Sequence, residues 1–285
     1  MKAADGAELH GIVTGHGPVT VVLVHGWTLD ETCWAPVADR LPGTRVVRYD
    51  HRGHGRSATV EPATMTIDQL ADDLAEVIAA VAPEGPLVLA GHSMGGMTTM
   101  ALAERHPEVA ARVRGLALVA TAAAGLGELT FGLPPKLLQA LRSREDRLYS
   151  SKRWTSRTAL STHPKLLEPW MRAMLVGKRP SRSALRTTTD VIAACRPVTV
   201  SGFLPTLEAH DRLGALATYT RIPVHVMVGT RDRLTPPRFS REIRDRLPDA
   251  ELTVFPDAGH MLPLERPDGV ARRIAALAGV AVPAQ

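Results

Sequence analysis

Leu87-Val88-Leu89-Ala90-Gly91-His92-Ser93-Met94-Gly95-Gly96 is the stretch on which the reading of this chain turns. Four apolar residues of strand character run into Gly91-His92-Ser93-Met94-Gly95. Gly96 to Arg105 then reads as a helix. A serine on a sharp strand-to-helix turn is lifted out of the sheet, with its hydroxyl at the mouth of a helix N-terminus. Gly91 and Gly95 suit such a turn because a Cβ at either place would crowd the neighbouring backbone. The pentapeptide alone arises by chance in about one chain in ten of this length, so its context has to carry the argument.

Working outward, strand and helix alternate. Val19–Val24, Arg45–Tyr49, Leu116–Val119, Val224–Val228 and Leu252–Phe255 read as further buried strands. Ile67 to Val81 repeats apolar residues at helical spacing, with Thr66 as N-cap and Pro83 beyond the end. Pro237 to Leu247 and Asp268 to Ala278 are further helices, and Glu8 to Val13 suggests an antiparallel edge hairpin. This rhythm predicts an α/β fold, a mostly parallel twisted sheet with helices on both faces. The interval 122–215 breaks it with helix-like pieces and no convincing strand. The expected organisation is therefore a core of residues 1–121 and 216–285 with a helical cap inserted at 122–215.

Composition excludes several classes. The chain has 285 residues, 45% hydrophobic and 22% charged, which is ordinary for a soluble globular protein. The N-terminal residues carry no apolar signal-peptide core, and no stretch reaches membrane-spanning length, so a cytoplasmic location and no stable membrane insertion are expected. Cys33 and Cys195 suggest neither a disulfide framework nor a metal cluster, and no cofactor or metal is expected. The net charge of +5 is uneven: residues 122–215 hold 15 Lys and Arg against 7 Asp and Glu. Nucleic-acid binding is not favoured, because the arginines are scattered and no such motif accompanies them. The excess has two readings, an anionic substrate, acidic carrier or membrane surface drawn to the entrance, or a solvated arginine-rich surface. The oligomeric state is not legible.

A serine hydroxyl needs a general base, and that base needs an orienting group. In open α/β sheets such residues gather just past the carboxyl ends of strands. Asp232 follows Val224–Val228, and His260 follows Leu252–Phe255. The order Ser93, Asp232, His260 is the one expected with this kind of elbow. Asp257, three residues before His260, is the rival acid, and His92 is expected to point away from the nucleophile. The negative oxygen of a tetrahedral intermediate needs preorganised donors. The backbone N–H groups of Met94 and of Trp27, in the loop after the first long strand, are the candidates. The Trp27 side chain either borders the pocket or packs inward.

At this point the chain resembles the α/β-hydrolase fold superfamily, in its serine esterase-like, capped form. His25-Gly26-Trp27 resembles that family's oxyanion loop, and Asp50-His51-Arg52-Gly53-His54-Gly55-Arg56-Ser57 its D-x-R-G-x-G-x-S loop. Gly91–Gly96 resembles its elbow, while Gly229-Thr230-Arg231-Asp232 and Gly259-His260 resemble its acid and base loops. The 50–57 loop is expected to brace the site. Relatives with aspartate at the elbow open epoxides or displace halides, which Ser93 argues against. The resemblance implies cleavage of carboxylic esters on a small-molecule acyl substrate through an acyl-enzyme. Its alternatives are a thioesterase or acyl transferase, a lactonase, a C–C bond hydrolase, a perhydrolase, or a non-enzymatic receptor on the same fold. Trp27, Phe131, Leu138, Trp154, Met171 and Met174 are the expected pocket residues.

Overall fold

The computed structural model describes residues 1–128 and 168–281. Seven strands form one sheet: β1 (Gly11–Thr14), β2 (Thr20–Val24), β3 (Arg45–Tyr49), β4 (Leu87–His92), β5 (Val113–Val119), β6 (Val224–Gly229) and β7 (Glu251–Phe255). Their spatial order is β1-β3-β2-β4-β5-β6-β7, parallel throughout except for β1, which pairs antiparallel with β3. The antiparallel edge expected near the N-terminus is present as β1, but it does not pair with β2. β1 skips over its sequence neighbour β2 and closes the edge against β3, with Gly11 opposite Tyr49 and Thr14 opposite Val46.

β2 shows why the central strands are apolar without a break. Val21 and Leu23 face one apolar cluster, and Val22 and Val24 face the other. Successive side chains point to opposite faces, so a strand covered by helices on both sides has no solvent-facing position for a polar residue. On one face lie α1 (Ile67–Val81) and α2 (Met94–Arg105), with Leu70, Leu74, Ile78 and Met100 fully buried. Thr66 caps α1 as its spacing predicts, its hydroxyl accepting the Gln69 N–H at 3.1 Å. The opposite face carries Trp34 and Val37 together with the last helix of the chain, which buries Val270 and Ile274.

Between β5 and β6 the described residues hold three longer helices, α3 (Glu168–Met174), α4 (Arg182–Ala194) and α5 (Pro197–Glu208), and no strand. α5 is tied to the core by side chains: Thr199 Oγ1 donates to Gly53 O at 2.7 Å, and Thr206 Oγ1 accepts the Ile67 N–H at 3.1 Å. α6 (Pro237–Arg246) and α7 (Pro267–Leu277) complete the sheet's cover. The chain passes from β2 outward to β3 and then back to β4 on the other side of β2. The switch in direction leaves a crevice beyond the carboxyl ends of β2 and β4, where such sheets place their functional loops. No helix among the described residues is long and apolar enough to cross a membrane.

Candidate active site

Ser93 sits between β4 and α2 with φ 53° and ψ −119°, a conformation that a residue with a side chain holds only when its surroundings impose it. They do so sterically. A Cβ on Gly91 would stand 2.5 Å from Gly95 O, and one on Gly95 would overlap the Val24 carbonyl. Strand, turn and helix therefore approach backbone to backbone. Ser93 N–H donates to Val119 O at 2.9 Å, and Ser93 O accepts Thr121 Oγ1 at 2.7 Å and Gly96 N–H at 2.8 Å. The side chain is left at the N-terminal end of α2, where unpaired N–H groups and the helix dipole favour negative charge.

The loop after β2 lies directly against this turn. A Cβ on Gly26 would come within 3.1 Å of Ser93 Cβ and 3.0 Å of His92 Nδ1. Among the described residues, the backbone N–H groups of Trp27 and Met94 donate to no protein acceptor. Histidines hold the loop in place. His25 Nδ1 contacts Gly26 O at 2.8 Å, and His25 Nε2 accepts the His51 N–H at 2.9 Å. His54 Nε2 accepts the Thr28 N–H at 3.2 Å, its Nδ1 engaging Arg52 O at 3.0 Å. Burial pushes His54 down to about 3, with His25 adding to the shift. The imidazole is neutral and keeps the lone pair that Thr28 needs.

The 50–57 loop supplies that bracing. Asp50 accepts the Glu31 N–H at 2.7 Å and the Arg56 N–H at 2.8 Å, and Ser57 Oγ donates to Asp50 O at 2.6 Å. Arg52 is fully buried and forks onto Asp73 through Nε at 2.6 Å and Nη2 at 2.5 Å. The loop is a folded scaffold standing against the loop that follows β2.

Asp232 and His260 come together at the ends of β6 and β7. Asp232 Oδ2 accepts from His260 Nδ1 at 2.9 Å, with both side chains buried. Its Oδ1 accepts the Leu234 and Thr235 N–H groups at 2.9 and 2.8 Å, and Thr235 Oγ1 donates to Oδ2 at 2.8 Å. A carboxylate only accepts, so in this contact the ring hydrogen lies on Nδ1. Asp257, the rival, faces solvent with Arg231 Nε 3.0 Å away. That hydrogen bond holds its carboxyl below the usual range.

His92 links the two halves. It is fully buried, and its Nε2 lies 2.9 Å from His260 O, with the two rings 4.9 Å apart. The sequence did not show that this ring supports the 257–261 loop through the His260 carbonyl. Burial, and then the neighbouring His260, push it down to about 3.

Of the expected pocket residues, Phe131, Leu138 and Trp154 lie outside the described residues. Trp27 is half-buried, and its indole Nε1 is buried without an acceptor among the described residues. Met171 is fully buried in the apolar cluster that also holds Ala258 and Met261, and Met174 packs against that cluster. A cavity of about 220 Å³ is lined by Thr28, Leu29, Asp50, Arg56 and Cys195 among others. Trp27, Met171 and Met174 do not line it. Among the described residues no cluster of His, Cys, Asp and Glu could hold a metal ion.

A serine elbow, a buried imidazole–carboxylate pair and two backbone N–H groups without an acceptor among the described residues, all on a sheet of this order, define a class of protein. The Alpha/beta hydrolase family matches residues 21–273, and the chain belongs to it. It is 31% identical over 252 residues to the pimeloyl-[acyl-carrier protein] methyl ester esterase of Chromobacterium violaceum, covering 86% of this chain and 88% of that one. Among solved structures it is similar to a thermophilic esterase from Thermogutta terrifontis, at 27% identity and TM-score 0.77 over 97% of this chain and 95% of that one. It is also similar to the enol-lactonase from Burkholderia xenovorans, at 26% identity and TM-score 0.69 over 96% and 97%.

Proposed function

We propose that this protein hydrolyses carboxylic esters through a covalent acyl-enzyme formed on Ser93. The observation that carries this reading is the 2.9 Å contact of His260 Nδ1 with buried Asp232, beside an elbow that holds Ser93 at positive φ. Ser93 Oγ attacks the ester carbonyl while His260 Nε2 takes its proton, and Asp232 stabilises the imidazolium. The Trp27 and Met94 N–H groups receive the developing oxyanion. Collapse breaks the bond to the alcohol oxygen, which leaves with the proton from His260. Water then gives its proton to His260 and adds to the acyl carbonyl. Release of Ser93 with that proton completes the cycle.

The chemistry is that of oxoesters, acyclic or closed into a lactone. The relatives named above, a methyl ester esterase, an esterase and an enol-lactonase, support that range. We assign residues 122–215 to a cap over the crevice that sets the acyl group, and its basic balance suits an anionic substrate or an acidic carrier. Cys33 and Cys195 are both free thiols, which fits a reducing cytoplasm.

Ser93→Ala should lower turnover of a short aryl ester by at least ~10³-fold and abolish labelling by an organophosphonate. Full turnover in that variant would refute the reading. Rates across aryl esters, lactones and acyl thioesters would rank the substrate class.

A further inference from the structure

The core alone does not hold the base loop. Residues 257–261 run beside 175–178, the stretch that leads out of α3. His260 N–H donates to Leu175 O at 2.7 Å, and Lys178 N–H donates to Asp257 O at 2.9 Å. No side chain separates the two segments. A Cβ on Gly177 would overlap the Asp257 carbonyl, and one on Gly259 would stand 2.5 Å from the Val176 carbonyl carbon.

Glu265 closes this junction, five residues beyond His260 on a short helical turn, Leu262–Glu265. Its carboxylate accepts one N–H from each segment, Gly259 at 3.0 Å and Gly177 at 2.7 Å. Burial raises the pKa of this carboxyl, and the two N–H donors only partly offset that. A carboxyl kept in such a buried place indicates that the donors it satisfies would be costly to leave unpaired.

We propose that Glu265 is a positioning residue for the hydrolysis: it clasps the segment returning from α3 to the base loop and so sets where His260 Nε2 stands. This rests on the role given to His260 under Proposed function. Glu265 would touch no substrate, so its loss should act on the chemical step. Misplacing a reacting group by 1 Å costs as much as ~10²-fold. The segment 175–178 is then part of the catalytic apparatus although it carries no reacting group.

The test compares Glu265→Gln, Glu265→Leu and Ser93→Ala on one short aryl ester, assayed well below each variant's melting temperature. Leucine removes both acceptors and should lower kcat by ~10²-fold, with KM within about twofold of the parent. Glutamine keeps one acceptor and should fall between. If the leucine variant does not fold, the glutamine variant decides alone. A folded Glu265→Gln protein with the parent's kcat, or one changed only in KM or in melting temperature, overturns the proposal while Ser93→Ala remains inactive. An active Ser93→Ala protein overturns the functional reading itself, a separate and recognisable result.

Discussion

Ser93 and His260 are held in place by opposite means. Around Ser93 the constraint is exclusion: Gly91 and Gly95 let three stretches of backbone close so tightly that no other path is open to the chain. Around His260 it is attachment. The imidazole is held by Asp232 and Thr235 from one loop, and the residue's backbone by Leu175 O from another segment and by the His92 ring from the elbow. A sterically enforced turn is insensitive to the loss of any single hydrogen bond. An attached loop should degrade step by step as its partners are removed, and activity should record each step.

The largest effect expected of a base-side change is from Asp232→Asn. An amide can present its NH₂ to Nδ1 and favour the wrong tautomer, so kcat should drop by ~10³-fold or more with little change in melting temperature. A drop below tenfold would mean that a different acid, Asp257 foremost, can orient the ring. On the elbow side the corresponding change is Gly95→Ala. Its methyl would be driven into the Val24 and His25 carbonyls, so the strand or the helix must move. It should cost ~3 kcal/mol or more of stability, read as a lower denaturant midpoint with m unchanged. If Gly95→Ala were as stable as the parent, exclusion would not be what holds Ser93.

This contrast also sorts what was legible in the sequence. The elbow could be read because its causes lie within ten residues: a buried apolar strand, glycines at two fixed places, then a helix. α1 could be read for the same local reason, from the spacing of Ile67, Leu70, Leu74 and Ile78 and the Thr66 cap. Asp232 and His260 were found from position past strand ends, and the structure brings them together. Thr235 and Glu265 were missed. Thr235 left a faint signal, a threonine three residues after an aspartate, which suits a side-chain-capped turn. Glu265 left none, since its second donor is Gly177, 88 positions away. Met171 was expected in the pocket because an apolar side chain in a helical insertion suits either a ligand or the core. The structure buries it in the cluster that also holds Ala258 and Met261, a placement with no local signature.

The smallest expected effect concerns acid. His54 and His92, on the elbow side, are neutral in the fold because burial pushes both down to about 3 from the ordinary 6.5. Between those values the unfolded chain binds protons that the folded one does not, so stability is full above pH 6.5 and falls as pH drops toward 3. Glu265 has the opposite sign. Its pKa is raised in the fold, so in its window the folded chain binds the extra proton and stability rises as pH falls. The elbow side should therefore dominate acid unfolding. His54→Gln keeps a neutral acceptor for the Thr28 N–H but removes one titrating group, which relieves at most ~1.4 kcal/mol per pH unit. Melting temperature plotted against pH from 7 to 4 should be flatter in that variant, whereas Glu265→Gln should make it steeper. If both variants follow the parent curve, the acid response does not come from these buried groups, and the two halves of the site are no longer distinguished by their response to protons.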